Sequence, residues 1–459
     1  MAHLTQIASS EDTTKHSSFD AHNPPSKELL SDCVHCGFCL PACPTYVLWG
    51  EEMDSPRGRI YMMAKASQGE APLDQHFREH MDNCLGCMAC MTACPSGVQY
   101  NKLIEDTRPQ IERHIPRSVD DVSFRKLLFA TFPYSDRLRI LAIPLFLYQR
   151  TGLQKLVRTS GLLKLLPKRL AAMEALLPTV PRGLFHHLPQ VTPAAVSDPS
   201  STKQSIRVGV LAGCVQQVFF QHVNEATLRV LSAEGYEVVV PPQQSCCGAL
   251  MFHSGLEEEA QSLARRTIAM FEAAEVDHIV INAAGCGSTM KEYGHLLRND
   301  PEWAARAKAF SAKCCDISEI LLAHPQRKPR NPLPLRVAYQ DACHLRHAQG
   351  IQTEPRTLLR NIPELDVAEI AEANLCCGSA GVYNLLHPEP ANELGDRKVE
   401  NLLAAKAQAL ISANPGCLLQ LQAGLRRRGL AEVPTFHMVE LIDASIRGLS
   451  AQELLNRRI

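Results

Sequence analysis

The 459-residue chain lacks an excess of charge of either sign, since 47 lysines and arginines stand against 48 aspartates and glutamates. The balanced charge argues against a partner nucleic acid bound by overall electrostatic attraction, although local basic patches can still exist. The chain also lacks an uninterrupted apolar run close to the ~20 residues that cross a bilayer. Its polar N-terminus has no apolar core of a secretory signal, and residues 1–26 are predicted to form a disordered tail.

Cysteine, by contrast, is abundant. The chain has 18 cysteines, which without a signal peptide indicate thiols and metal ligands in a reducing compartment. Eight of them form two copies of the run Cys-x2-Cys-x2-Cys-x3-Cys-Pro, at residues 33–44 and 84–95. Disulfide frameworks belong to small secreted chains, and zinc ribbons use two separated Cys-x2-Cys pairs, so neither alternative suits this pattern.

The doubled run resembles the signature of bacterial two-cluster ferredoxins, in which the fourth cysteine of each run binds the other cluster. The resemblance implies two [4Fe–4S] clusters. The ligands of the first would be Cys33, Cys36, Cys39 and Cys94. The ligands of the second would be Cys84, Cys87, Cys90 and Cys43. Between the runs, Arg57 and Arg59 are interpreted either as part of a solvated turn or as positive charge near an anionic cluster or a docking partner.

Changes in composition divide the rest of the chain. The predicted segments are a ferredoxin-like domain at 27–115, a helical connector and linker at 116–205, and two further domains at 206–330 and 331–459. The connector is rich in leucine and in basic residues. Its basic face is expected to be solvated, and the alternative is a basic amphipathic surface lying on an anionic membrane. A stretch rich in proline and serine, residues 189–205, is predicted to be a linker.

The second half of the chain contains an internal repeat. Three landmarks recur with offsets of 129, 130 and 131 residues: Cys214 with Cys343, Cys246-Cys247-Gly248 with Cys376-Cys377-Gly378, and Cys286 with Cys417. A period this long indicates a duplicated domain rather than a solenoid. In each repeat, β-branched runs alternate with helical stretches, which predicts a parallel sheet. The functional crevice of such a sheet lies at the carboxyl ends of its strands, where these cysteines are predicted to meet.

Each repeated cysteine set could bind a further iron–sulfur or other metal centre, perform disulfide chemistry, or belong to a docking body. The candidate sets are Cys214, Cys246, Cys247 and Cys286 in the first repeat, and Cys343, Cys376, Cys377 and Cys417 in the second. Cys314 and Cys315 have no counterpart in the other repeat and are predicted to be packing residues. His344 and His347 follow Cys343 in the second repeat alone. They could tune or protonate a group there, with His347 expected at the surface.

Taken together, the motifs resemble the iron–sulfur subunit of bacterial glycolate oxidase, also called glycolate dehydrogenase. Besides the cysteine runs, the similar stretches are Pro-Arg-Gly-Arg-Ile at 56–60, Asn-Ala-Ala-Gly-Cys-Gly at 282–287 and Leu-Cys-Cys-Gly-Ser-Ala-Gly at 375–381. The resemblance spans about residues 30–446. The expected fold is α+β and multi-domain, with an α-helical two-[4Fe–4S] ferredoxin-like domain, a helical connector and two pseudo-repeated α/β Cys-Cys-Gly domains.

This resemblance implies an electron-transfer subunit. FAD on partner glycolate oxidase subunits would oxidise glycolate to glyoxylate, and the electrons would pass through this chain toward the quinone pool. The chain would be cytoplasmic and peripheral on the inner face of the cytoplasmic membrane. It has no clean G-x-G-x-x-G after a strand, so substrate oxidation is expected on a partner and no catalytic residue is assigned here.

Two alternatives stay open from the sequence. One is the iron–sulfur subunit of a D-lactate or anaerobic glycerol-3-phosphate dehydrogenase, which has a similar layout. The other is a thiol enzyme resembling heterodisulfide reductase, whose last cysteine element is Cys-x2-Cys. Cys286 and Cys417 are not followed by that second cysteine, which counts against the thiol enzyme.

Overall fold

The structure, a computed structural model, describes residues 16–181, 183–195 and 206–456. Residues 1–15 of the predicted tail lie outside the described residues. Residues 16–26 differ from the prediction, because they pack on the ferredoxin-like region. Phe19 is buried with its ring 6.2 Å from that of Phe77, and the Asp20 carboxylate accepts hydrogen bonds from Arg113. The ordered body therefore begins before residue 27.

The ferredoxin-like region consists of short helices separated by cysteine loops. Its helices are α1 (Lys27–Ser31), α2 (Pro44–Trp49), α3 (Pro56–Ser67), α4 (Gln75–Asp82), α5 (Ala89–Thr92) and α6 (Tyr100–His114). Proline begins α2 and α3, at a position where the missing N–H has no helical partner to lose. The Ser55 hydroxyl caps α3 by accepting from the Gly58 amide. Of the two interpretations left open for Arg59, the solvated turn is wrong, because Arg59 lies in α3 and is buried.

The connector is helical, as predicted. It contains α7 (Val119–Thr131), α8 (Ser135–Arg150), α9 (Leu153–Thr159), a 3₁₀ turn (Leu162–Leu165) and α10 (Lys168–Ala175). Leu138 and Ala142 turn one face of α8 toward the protein core. None of the helices in the described part of the chain combines the length and the apolar character that crossing a bilayer requires.

The predicted linker contributes to the first sheet. Val191–Thr192 forms β1, an edge strand that pairs antiparallel with residues 238–239. A stretch rich in proline and serine can still supply one edge strand, because an edge needs hydrogen bonds on one side alone. Residues 196–205 of the predicted linker lie outside the described residues.

The two Cys-Cys-Gly domains each contain a small parallel sheet. The strands of the first are β2 (Arg207–Val210), β3 (Glu237–Val239), β4 (His278–Ile281) and β5 (Cys314–Asp316), with order β1-β3-β2-β4-β5. The strands of the second are β6 (Leu335–Gln340), β7 (Leu365–Ala368), β8 (Ala409–Ser412) and β9 (Thr435–His437), with order β7-β6-β8-β9. Apart from β1, all strands are parallel and follow the same order in both domains, as a duplication predicts.

Helices cover the faces of both sheets. Those of the first domain are α11 (Gln216–Phe219), α12 (Gln221–Ala233), α13 (Ala249–Phe252), α14 (Glu257–Ala273), α15 (Ala284–Lys291), α16 (Tyr293–Leu296), α17 (Ala304–Lys313) and α18 (Ile317–Ala323). Those of the second are α19 (Thr353–Arg360), α20 (Tyr383–Leu386), α21 (Pro388–Ala404), α22 (Pro415–Arg427), α23 (Met438–Arg447) and α24 (Ala451–Leu455). A π-helical turn, His344–Ala348, follows β6.

The two domains share one hydrophobic core, which holds residues of both sheets and of α12 and α23. Arg229 in α12 forms a bidentate ion pair with Asp443 in α23, at 2.9 and 2.8 Å. The amide of Ala284 donates to the carbonyl of Ala413, so the carboxyl edges of β4 and β8 lie next to each other. The predicted fold class, α+β with a duplicated α/β domain, is confirmed.

Candidate functional site

Two cavities in the ferredoxin-like region are lined by the eight cysteines of the doubled run. The first is bordered by Cys33, Cys36, Cys39 and Cys94, and also by Cys90. The second is bordered by Cys43, Cys84, Cys87 and Cys90. The first cavity thus has three cysteines of the first run with Cys90 and Cys94 of the second, and the second cavity has three cysteines of the second run with Cys43 of the first. This grouping is what the cross-ligation prediction requires, and the ligand assignment itself stays a prediction.

The loops between these cysteines have the same backbone shape in both runs. His35 and Gly37 have φ values of 54° and 88°, and the corresponding Gly86 and Met88 have φ values of 61°. Left-handed residues alternating with right-handed ones aim successive amides into one concavity, which is an arrangement found at iron–sulfur sites. His35 and Met88 hold this shape without being glycine, and backbone strain of that kind concentrates at functional sites.

The thiols around these cavities fit a cubane better than a single ion. All eight are free cysteines. Among the described residues, no three His, Cys, Asp or Glu side chains converge closely enough for one metal ion. A [4Fe–4S] cluster takes its four thiolates at four separate irons, so its ligands surround a cavity instead of meeting at a point. Burial raises the pKa of Cys39 to about 11, and a bound cationic group would lower that pKa again.

The second cavity is the more buried of the two and has a buried cation beside it. Arg59 places Nη1 4.0 Å from Cys43 Sγ, and its Nη2 lies 3.0 Å from Asp54 Oδ1. Its Nε donates to the carbonyl of His80 at 2.6 Å. On the other side, the Tyr100 hydroxyl donates to Cys84 Sγ at 3.5 Å. Positive charge and hydrogen bonds to sulfur are among the means by which a protein sets a cluster's potential.

The first cavity opens at the surface. Cys36 is exposed, and the neighbouring Val34 and Phe38 are each 67 % exposed. Arg57 lies at its edge, where Nη1 donates to the carbonyl of His35 at 3.1 Å and Nε pairs with Glu52 at 2.6 Å. The two cavities therefore differ in access, with the first open to an approaching protein and the second enclosed.

The repeated cysteines meet at the carboxyl edges of their sheets, as predicted. In the first repeat, Cys214 lies within hydrogen-bonding reach of Cys246, and Cys247 within reach of both Cys246 and Cys286. In the second repeat, Cys343 Sγ lies 4.0 Å from Cys376 Sγ. Its remaining pair is also in contact, since Cys377 lies within hydrogen-bonding reach of Cys417. Each repeat thus assembles four thiols from three separate loops.

The glycine of each Cys-Cys-Gly triplet is required by geometry. Gly248 and Gly378 have φ values of +82° and +86°, a left-handed conformation that side chains strain. A Cβ on Gly378 would lie 2.4 Å from the carbonyl oxygen of Ala391 in α21. The corresponding contact of Gly248, to Ala260 in α14, would be 3.2 Å. The turn that presents the vicinal cysteines therefore packs directly on the following helix.

The second repeat, and not the first, places its thiols against the second ferredoxin cavity. Cys343 and Cys376 pack in one apolar cluster with Cys87 and Leu85. Burial, with the nearby Cys343 sulfur as the next cause, raises the pKa of Cys87. The thiols of the first repeat pack instead with the connector helix α7.

Both histidines that follow Cys343 contact the ferredoxin-like region. Burial lowers the pKa of His344 to about 4, so its ring is neutral, and its Nε2 lies 2.8 Å from the Gly86 carbonyl that it can donate to. The surface role expected for His347 is wrong, because His347 is buried between Thr92 Oγ1 and the Asn374 carbonyl, each 2.9 Å away. These side chains fix the second repeat to the loops of the second cavity.

Sequence reasoning missed Lys398, a buried lysine beside the second thiol set. Its Nζ donates to the Glu372 carbonyl, and burial lowers its pKa to about 8 while the charges of Cys377 and Cys376 act in the opposite direction. Gly248 packs on Ala260 as Gly378 packs on Ala391, and this match aligns helix α14 with helix α21. In that alignment, Thr267 of the first repeat corresponds to Lys398 of the second. A lysine inside an amphipathic helix carries no sequence signal that separates it from a solvated one.

Cys314 and Cys315 lie in β5, away from the two thiol sets. The Cys314 thiol donates to the Phe310 carbonyl at 3.5 Å, and that of Cys315 to the Ile279 carbonyl at 3.6 Å. Both side chains pack in the hydrophobic core. Both cysteines therefore pack as small apolar residues of a strand.

Three families of known proteins match the chain, in four regions. A family described as "4Fe-4S dicluster domain" matches residues 29–98. One described as "Glycolate oxidase iron-sulfur subunit, linker region" matches residues 121–177. One described as "Cysteine-rich domain" matches twice, at residues 208–291 and 337–422, which agrees with the duplication.

Among curated proteins, the "Probable glycolate oxidase iron-sulfur subunit" of Bacillus subtilis is 42 % identical over 421 residues, 90 % of this chain and 93 % of that protein. The "Glycolate oxidase iron-sulfur subunit" of Escherichia coli is 33 % identical over 421 residues, 91 % of this chain and 94 % of that protein. A "Lactate utilization protein A" of Exiguobacterium is 29 % identical and covers 52 % of this chain. The chain therefore belongs to the family of glycolate oxidase iron–sulfur subunits, which confirms the resemblance found in its sequence.

Proposed function

We propose that the chain is the iron–sulfur electron-transfer subunit of a flavin-dependent glycolate dehydrogenase. The observation that carries the proposal is the set of eight cysteines around two adjacent cavities, each of which combines three thiols from one run with at least one thiol from the other run. Two [4Fe–4S] clusters bound there would supply reversible one-electron transfer. The family membership and the match over nine-tenths of two glycolate oxidase subunits support glycolate as the substrate of the complex.

The other parts of the complex follow from the same proposal. FAD and the glycolate site belong to partner subunits, and the quinone pool is the eventual acceptor. We expect the flavoprotein to approach the first cavity, because an electron donor needs a short path and Cys36, Val34 and Phe38 are exposed there. We propose that the chain is cytoplasmic and peripheral on the inner face of the cytoplasmic membrane.

The repeated thiols are proposed to hold a further metal or iron–sulfur centre, and the second repeat is the favoured site. Its Cys343 and Cys376 lie against Cys87, whereas the first repeat makes no comparable contact in the described part of the chain. Four thiols in reach of one another suit a cluster ligand set. Lys398 beside them would offset part of the negative charge of such a centre.

The test of the main proposal uses the full chain, purified without oxygen. We expect EPR signals of reduced [4Fe–4S] clusters from the chain alone and no glycolate-dependent dye reduction until the flavoprotein is added. Replacing Cys94 or Cys43 with serine should each remove the signal of one cluster. Glycolate oxidation by the isolated chain would overturn the proposal.

The duplication supplies its own matched control for the second repeat. The variant Cys376→Ser/Cys377→Ser should lower the iron content below that of the wild type and slow quinone reduction by the complex. The variant Cys246→Ser/Cys247→Ser should have a smaller effect, since those thiols lie away from Cys87. Equal losses in both variants would contradict the preference for the second repeat, and full activity in both would exclude a thiol enzyme that uses either pair.

The lactate relatives do not favour the alternative substrate. They match about half of this chain at 28–29 % identity, whereas the glycolate oxidase subunits match nearly all of it at higher identity. Assaying the reconstituted complex with D-lactate and glycerol-3-phosphate beside glycolate separates these substrates directly. A preference for either one over glycolate would replace glycolate in the proposal.

A further inference from the structure

The connector helices turn an apolar face outward. On α8, Ile140, Ile143 and Leu147 are exposed and follow one another at helical spacing, on the side opposite Leu138 and Ala142. Exposed apolar side chains recur in α9, the 3₁₀ turn and α10 as Leu156, Leu165 and Leu170. We call these six residues the connector face. Exposed apolar side chains that cluster in one segment, unlike single scattered ones, mark an interaction site.

The connector face is bordered by positive charge. Between residues 135 and 175 the sequence has eight lysines and arginines but two acidic residues. Both acids have arginine partners, with Asp136 2.9 Å from Arg139 and Glu174 2.9 Å from Arg158. Acids from outside this segment pair with Lys168 and Arg169, so the excess positive charge belongs to the remaining basic residues. The sequence predicted a solvated basic face, but the same helices also expose apolar side chains.

Two of these cations are held so that they flank the apolar residues. The guanidinium of Arg137 lies 4.1 Å from the ring centroid of Tyr134, and that of Arg150 lies 5.1 Å from the ring of Phe146. Both side chains are exposed, as is Lys155. Long basic side chains whose stems lie on apolar surface can place their charges at the level of lipid headgroups.

We infer that the connector face binds the surface of an anionic membrane, with its leucines at the boundary of headgroups and acyl chains and its basic residues on lipid phosphates. A protein partner would also cover the leucines, but an anionic bilayer accounts in addition for Arg137, Arg150 and Lys155, the exposed cations beside them. Amphipathic surfaces with basic residues around an apolar stripe bind anionic bilayers in this way. The inference rests on the proposed peripheral membrane role and names the surface that performs it.

The test measures binding of the full chain, with its clusters, to lipid vesicles by co-sedimentation. Vesicles of phosphatidylcholine mixed with phosphatidylglycerol should bind the chain, and vesicles of phosphatidylcholine alone should bind it at least tenfold more weakly. Raising the salt concentration should release the protein, because attraction between exposed charges is screened. Equal binding to both vesicle types, or none to either at low salt, would overturn the inference.

Variants locate the site on the chain. Leu156→Ser/Leu165→Ser should weaken binding about tenfold or more, because two apolar side chains leave the lipid. Arg150→Gln/Lys155→Gln should lower the preference for anionic vesicles by roughly fivefold for each charge removed. The matched control Leu322→Ser/Leu403→Ser changes two exposed leucines of the Cys-Cys-Gly domains and should leave binding unchanged.

Further outcomes separate this inference from the proposed function. Glycolate-dependent dye reduction by the reconstituted complex should be unchanged in Leu156→Ser/Leu165→Ser, since dye reduction needs no membrane. If that variant instead loses the flavoprotein or dissociates a dimer, without any change in vesicle binding, the face contacts a protein and the inference is wrong. Unchanged cluster absorbance in each variant shows that it is folded.

Discussion

Replacing Arg59 tests whether a buried cation holds the second cysteine cavity together. Arg59 is 1 % exposed, and it joins three segments by contacting Asp54, the Thr45 hydroxyl and the His80 carbonyl. The variant Arg59→Met keeps an unbranched stem but removes the charge. Asp54 is 4 % exposed, so its carboxylate would then be buried without its arginine.

The size of the effect follows from this burial. Removing one partner of a buried ion pair costs about 3–5 kcal/mol, because the remaining charge is desolvated without compensation. The Asp54 carboxylate keeps Asn83 Nδ2 at 3.1 Å and His80 Nδ1 at 3.1 Å, so we expect the lower end, about 3 kcal/mol. Lys65→Met on the same helix is the control, since its exposed pair with Glu70 contributes about 0.2–1 kcal/mol.

The assay is urea unfolding without oxygen, followed by far-UV circular dichroism and by cluster absorbance. The double variant Arg59→Met/Asp54→Asn should be less destabilised than the sum of its single variants, because both buried charges are gone. Removing the cation should also lower the reduction potential of the cluster in the second cavity. An Arg59→Met protein as stable as Lys65→Met, or strictly additive single variants, would refute the reasoning.

Two further predictions concern the second repeat. Gly378→Ala should lower both stability and iron content, because its Cβ would meet the Ala391 carbonyl at 2.4 Å, whereas Gly350→Ala has a φ of +72° with nothing within 4 Å and should cost about 1–2 kcal/mol from strain alone. Similar urea midpoints for the two variants would contradict this. Burial lowers the pKa of His437 to about 4 from 6.5, so its neutral ring stabilises the fold fully above pH 6.5 and loses that contribution as the pH falls toward 4. His437→Gln should flatten the decline of the urea midpoint across that window, and an unchanged decline would show that other groups cause it.

The features that could be predicted from the sequence are those that depend on the spacing of residues along the chain. The run from Cys33 to Cys43 and its copy specify loops of a few residues, and the repeat from Cys214 to Cys417 shows itself through matching landmarks. The strand–helix alternation places the cysteines at the sheet edges, because parallel strands end on one side. Those predictions need no knowledge of which distant segments meet.

The features that the sequence did not predict depend on distant contacts. Arg59 is buried because Asp54, Thr45 and the His80 carbonyl surround it, and nothing in the Pro-Arg-Gly-Arg stretch distinguishes it from the half-buried Arg57. His347 is buried because Thr92, 255 residues away, lies against it. Residues 16–26 are polar in composition, yet Phe19 finds a partner in Phe77. Composition reports average polarity and is silent about single anchoring contacts.

The duplicated domains have one architecture but differ in the surroundings of their thiols. Both repeats keep the strand order, the left-handed glycine and the four thiols, so the geometry that assembles the cysteines is the same. The differences lie in what surrounds the thiols. The second set has Lys398 where the first has Thr267, and it borders Cys87 and contacts the ferredoxin loops through two histidines.

A charged neighbour and contact with the second ferredoxin cavity would both affect electron transfer through the second thiol set. Lys398 costs stability, since burial lowers its pKa to about 8 and thus opposes its charged form. A buried cation of this kind is offset when anionic groups lie beside it, and the thiols of the second set are the nearest candidates. The first repeat needs no such compensation, because Thr267 is neutral. The asymmetry therefore assigns an electron-transfer role to the second thiol set in our proposal, and a packing role against α7 is sufficient to explain the surroundings of the first.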